Sequence, residues 1–153
     1  MTIDREFYEE VILDHNRHPY HYMEIPPGAN HRGYGFNPVC GDEFTLHLEV
    51  ASGVIRRAGF EGVGCALSVA SASLMTEAAE GLSLDEAEGL IEQMGELFHG
   101  TGEGEAALPP GIPLKLEILS GVRESPMRIK CANLAWHILH AALHSDPSTV
   151  CTE

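Results

Sequence analysis

Residues 42–81 read DEFTLHLEVASGVIRRAGFEGVGCALSVASASLMTEAAEG. Phe44, Leu46, Leu48 and Val50 alternate with Thr45, His47 and Glu49, the period-two pattern of a strand with one buried face. Ser52-Gly53 is a turn, and Val54 to Glu61 returns as a second strand, so the pair is an antiparallel hairpin. Gly62 and Gly64 end it. The run that follows, dense in Ala, Ser, Leu and Met and stopped by Gly81, predicts a closely packed helix with Cys65 at or just before its N-terminus.

Working outward, Ser83 and Glu86 form a capping-box pair. They open a helix whose apolar positions Leu84, Ala87, Leu90, Ile91, Met94 and Leu97/Phe98 keep helical spacing to near Gly100. Glycines and prolines crowd 99–113, which predicts a loop, followed by a brief helical or extended piece around Leu114–Leu119. A last helix is expected from about Ile129 to His144, with a stripe of Leu134, Ala135, Ile138, Ala141 and Ala142 and with Cys131 in its first turn. Upstream, Phe7, Tyr8, Val11 and Ile12 mark an amphipathic helix from Asp4 to about His15. Residues 18–39 lack an apolar period and read as an irregular connection.

The chain of 153 residues is 44% hydrophobic, enough for one domain with its own core. Its formal net charge of −14, with nine Lys and Arg in all, argues against nucleic-acid binding, since phosphate contact needs clustered cations. An acidic surface suits basic protein partners or solubility. The N-terminus lacks a basic segment leading into an apolar one, and no run approaches the ~18 apolar residues of a membrane span. A cytoplasmic protein without membrane partners is expected.

Of the four cysteines, Cys40 falls in a loop, Cys65 and Cys131 at expected helix starts, and Cys151 near the end. Unpaired N–H groups at a helix start favour thiolate, the form that binds soft metals and attacks sulfur. On spacing alone, single cysteines so far apart read more often as unrelated buried thiols. Asp42 taken alone reads as a turn residue. His137, His140 and His144 share the back of the last helix with Asn133, which reads as a solvated face rather than a metal site. Trp136, off the main stripe, reads as a peripheral core residue, and Cys151, beyond Pro147, as a non-ligand thiol in a short mobile C-terminal tail.

Three segments go further: NPVCGDEF (37–44), EGVGCALSVASASLMTEA (61–78) and RIKCANLAW (128–136), with DHNRHP (14–19) before them. Together they resemble the U-type iron–sulfur assembly proteins, the IscU, SufU and NifU N-terminal family, over nearly the whole chain. Lys130 stands where IscU-like members carry His. With the Gly/Pro-rich insertion near 99–113, this makes the chain most similar to the SufU branch.

The resemblance implies an α+β domain spanning 1–153, with a small antiparallel sheet of about three strands and helices packed on one face. The third strand would come from residues before Cys40. It implies Cys40, Asp42, Cys65 and Cys131 as ligands of one Zn²⁺, a donor set that suits tetrahedral zinc. It also implies sulfur transfer from a pyridoxal-phosphate cysteine desulfurase toward downstream iron–sulfur assembly proteins. Among the ligands, Cys40 is expected to accept the sulfur, because Gly41 frees its loop. Arg128 and Lys130 either support thiolates or a transferred polysulfide by charge, or simply solvate the helix start. Two other functions stay open: a scaffold on which a [2Fe-2S] cluster is built with the same ligands, and a structural zinc adaptor domain.

Overall fold

The structure is a computed structural model that describes residues 5–19, 22–99, 116, 119, 125–144 and 150–151. In chain order its elements are α1 (Arg5–Arg17), β1 (His31–Asn37), β2 (Asp42–Ala51), β3 (Val54–Val63), α2 (Ala66–Ala79), α3 (Leu84–His99), α4 (Pro126–Leu143) and β4 (Val150–Cys151). The loop expected at 99–113 lies outside the described residues beyond His99, as does most of the piece expected after it. Leu116 and Leu119 are described, and both are buried in the core.

The hairpin forms as its alternation requires. Phe44, Leu46 and Leu48 of β2 and Ile55, Ala58 and Phe60 of β3 are buried. Ser52 and Gly53 both take positive φ, 53° and 72°, the turn geometry that matches strand twist across a two-residue link. Antiparallel pairing of β1 with β2 completes the expected three strands, with His31 opposite Leu48 and Asn37 opposite Asp42.

β1 lies within the stretch whose sequence shows no apolar period, and the reason is visible. Its buried positions are Gly33, Gly35 and Asn37, because α4 crosses there: a Cβ on Gly33 would stand 2.5 Å from the Ile138 carbonyl oxygen. Close approach of two backbones removed the side chains that would have marked the strand.

The sheet order is β3-β2-β1-β4. The fourth strand adds to the expected three: Val150 and Cys151, assigned by sequence to a mobile tail, run parallel to Gly35 and Phe36.

Helices α4 and α2 cover one face of the sheet, α4 over β1 and β2 and α2 over β3. The opposite face presents Arg32, Tyr34 and Glu43 to solvent, while the segment from Tyr22 to Pro26 crosses it at Gly59. Helix α2 is buried from Ser68 through Thr76 and at Ala79, and its small side chains let α1 and α4 pack closely on it. Its buried hydroxyls are satisfied: Ser71 Oγ donates to the Ala132 carbonyl at 2.6 Å and Thr76 Oγ1 to the Ser73 carbonyl at 2.9 Å. Ser71 also accepts from Trp136 Nε1 at 3.2 Å. Trp136 is 1% exposed, a central residue rather than the peripheral one expected; an indole N–H can be buried this deeply because it meets a hydroxyl.

Candidate metal centre

Cys40 stands in the turn between β1 and β2, built by Asn37 and Gly41. The Asn37 carbonyl accepts from the Gly41 N–H at 2.9 Å, and its side-chain Oδ1 accepts from the Val39 N–H at 3.1 Å. Gly41 takes φ 73°, a conformation that favours glycine. The turn brings Cys40 Sγ to 2.9 Å from Cys131 Sγ, well beyond the ~2.03–2.05 Å of a disulfide. Asn37, wholly buried, points Nδ2 at the Cys131 sulfur from 3.9 Å.

Asp42 opens β2 and is 1% exposed. Both of its oxygens are held: Cys65 N–H donates to Oδ1 at 2.8 Å and Ser68 Oγ to Oδ2 at 2.6 Å. The Gly-x-Gly-Cys sequence makes this possible. Gly62 takes φ 135°, and a Cβ on Gly64 would lie 2.7 Å from Phe44 Cζ and 3.0 Å from Asp42 Oδ1. Only a residue without a side chain lets the chain pass the carboxylate closely enough to deliver the next amide to it.

Cys65 is the N-cap of α2, as its position predicted, and its sulfur accepts from the Ser68 N–H at 3.4 Å. Its side chain is exposed. Cys131 departs from expectation. Ser125 caps α4 and Pro126 opens it, so Cys131 is the sixth helical residue, well past the first turn. It is 4% exposed. Its thiol is pushed far above the usual range by burial first, then by the Cys40 hydrogen bond and the negative charges of Cys65, Asp42 and Cys40.

Cys40, Asp42 and Cys131 therefore form one cluster, their ligand atoms all within 4.8 Å of one another. Cys65 lies outside that limit but near enough to act electrostatically on Cys131. Arg128 and Lys130 are exposed on α4, and the Arg128 N–H is taken by the Ser125 cap at 3.4 Å.

The chain matches the model of the NifU-like N-terminal domain over residues 7–106. It belongs to that family. A NifU-like relative, the iron–sulfur cluster assembly scaffold protein IscU of Thermotoga maritima, is 41% identical over 109 residues, 71% of this chain and 73% of that one. The zinc-dependent sulfurtransferase SufU of Bacillus subtilis is 34% identical over 143 residues, 91% of this chain and 90% of that one. A solved structure, FiSufU of Fervidobacterium islandicum AW-1, superposes with a TM-score of 0.71 at 31% identity, covering 88% of this chain and 94% of the other. The NifU-like fold is thus the α+β fold that the resemblance implied.

Two residues of this NifU-like site escape sequence reasoning. Asn37 shapes the cysteine turn, and the signal for it is the Asn-Pro ahead of Cys-Gly-Asp. Ser68 ties α2 to Asp42 and donates as well to the Cys131 carbonyl at 3.2 Å; its signal is a hydroxyl three residues after the N-cap. Among the described residues no helix is long and apolar enough to cross a membrane.

Proposed function

We propose that this chain takes persulfide sulfur from a pyridoxal-phosphate cysteine desulfurase and passes it toward iron–sulfur cluster assembly, on a zinc centre of Cys40, Asp42, Cys65 and Cys131. The observation that carries this is the Cys40–Cys131 pair: two unbonded sulfurs 2.9 Å apart, one buried in a helix and the other partly exposed on a glycine turn. One sulfur anchors and the other moves.

The residues fit zinc. A carboxylate 1% exposed and a thiol 4% exposed, with two more thiols beside them, make a site whose charged form is unfavourable without a compensating cation. Three sulfurs and one carboxylate oxygen are donors that zinc accepts. When bound, zinc supplies the positive charge that keeps its sulfur ligands as thiolates. The name of the Bacillus subtilis relative supports this reading over a branch that builds clusters.

Cys40 attacks the terminal sulfur of the donor's cysteine persulfide. A bond forms from Cys40 Sγ to that sulfur, the donor S–S bond breaks, and the donor cysteine departs as a thiolate. Asp42 stays fixed by Cys65 N–H and Ser68 Oγ while the turn moves. Val39, Val63 and Met127 are exposed apolar residues, each close in sequence to one of the three cysteines, and they offer the donor a surface around the site. Arg128 and Lys130 supply positive charge for an anionic persulfide.

Desulfurase and cysteine are added to the zinc-loaded chain and the trapped persulfide is mapped by mass spectrometry, peptide by peptide. Label is expected on Cys40; label on Cys65 or Cys131 with Cys40 bare would overturn the assignment. The scaffold reading is favoured by the name of the Thermotoga maritima relative. It requires iron and sulfide to be retained after anaerobic reconstitution and passed to an acceptor protein.

A further inference from the structure

Helix α3 packs against α4. There Glu88 meets His140 of α4 and His144, the C-cap of that helix, four residues apart and on one side of it. The histidines are exposed, as the sequence reading had it; the carboxylate supplied by α3 was not visible from their spacing. Asn133 departs from that reading: it is 7% exposed, with Nδ2 at 3.0 Å from His137 Nε2.

The three ligand atoms converge. Glu88 Oε1 is 2.5 Å from His144 Nε2 and 3.9 Å from His140 Nδ1, and all three lie within 4.8 Å of one another. The two rings stand edge to face with centroids 4.6 Å apart. Glu88 Oε1 itself is buried and has no aligned hydrogen-bond donor; its approach to His144 is an ion pair when that imidazole is protonated. That one oxygen thus faces two imidazole nitrogens, on a Glu88 side chain that is otherwise 40% exposed.

We propose that Glu88, His140 and His144 form a second metal site, for a divalent transition ion of the zinc class. Two imidazoles and one carboxylate are a donor set that zinc uses when it keeps a fourth position for water. In a tetrahedron with bonds of ~2.0–2.1 Å the donors stand about 3.3 Å apart. The observed 2.5 and 3.9 Å straddle that separation, and rotation of side chains more than half exposed on the imidazoles closes the difference. The site sits at the end of α4, where the last carbonyls favour a cation. It holds no cysteine, so it would bind more weakly and exchange faster than the sulfur centre, and it would join α3 to α4.

The test uses the full chain, loaded with zinc and freed of loosely bound ion by gel filtration. Zn²⁺ is titrated calorimetrically in a non-coordinating buffer. Uptake of a further equivalent is expected, with affinity reduced about tenfold or more in Glu88→Gln and the heat lost in the double variant His140→Ala/His144→Ala. Glu88→Gln and the double variant each keep the first zinc, measured by elemental analysis. No further uptake by the native chain, or an isotherm unchanged in the double variant, would overturn the site. Co²⁺ added to the zinc-loaded chain should give weak visible bands; sulfur-to-cobalt charge transfer would place the ion at the cysteines and also overturn it.

Discussion

The amide of Cys65 donates to Asp42 Oδ1 across 2.8 Å, so two motifs twenty-three residues apart are joined by backbone as well as by side chain. Ser68 completes the link by donating to the other carboxylate oxygen. The position of Asp42 is therefore set before any ion arrives, and a supporting residue becomes the natural place to perturb the centre without touching a ligand.

Ser68→Ala removes the donor to a buried carboxylate. The metal-free chain is expected to lose about 1–3 kcal/mol of stability, and zinc affinity to fall about 10–100-fold. Chemical denaturation of the metal-free protein and competition with a chromophoric chelator measure the two effects. Unchanged zinc affinity would show that Asp42 needs no second anchor.

Gly64→Ala places a methyl against Phe44 and Asp42. Phe44 and Asp42 are both held in the core, so the strain, about 1–3 kcal/mol, is expected to fall on the backbone at 64 and to carry Cys65 with it. Zinc per chain is expected to fall together with the denaturation midpoint. A variant with native zinc content would mean that Phe44 gives way instead.

The Cys131 thiol gives the metal-free chain an alkaline limit. Its folded value is raised above the usual thiol value of 9.0, by burial first. The native state thus holds a proton that the unfolded state releases. This contribution is fully present below pH 9.0 and is lost as pH climbs above that value. Unfolding of stripped protein at pH 8 and pH 10 should show the decline, and zinc-loaded protein should show much less of it. Equal stability of the stripped protein at both values would contradict the assignment.

Cys151→Ala should leave zinc content and sulfur acceptance intact, because the residue stands on the edge strand β4, away in sequence from the three cysteine motifs. Persulfide mapping of the variant checks this; loss of label from Cys40 would give the C-terminal strand a part in acceptance.

Much of this architecture was legible in the residues. Alternation in β2, the Ser52-Gly53 turn and the Ser83–Glu86 box, whose reciprocal bonds measure 3.0 and 3.1 Å, each follow a local rule that tertiary structure did not override. Cys65 at a helix start followed from the same kind of reading. What was missed depends on packing. The α4 start was placed too late because Ser125-Pro126, a cap and first-turn pair, precedes the apolar stripe; as a result Cys131 lies deep in the helix, where burial outweighs any help from the helix end. Trp136 was assigned to the edge of the core and Asn133 to the solvated face because a single stripe cannot describe a helix touched by the sheet on one side and by α2 and α3 on others. Ser68 gave only a weak cap signal, since nothing local says that its hydroxyl will face a carboxylate from another strand.

The contact at Gly33 makes main chain the spacer between α4 and the sheet. Cys131 rides on that helix and Cys40 on the turn that leaves the strand, so the gap between the two sulfurs is gauged by the thickness of a bare peptide. Surface side chains can drift widely without changing that gauge. A single methyl at position 33 acts as a shim: it lifts the helix, tilts the buried sulfur from its partner, and detunes a site seven residues further along the chain.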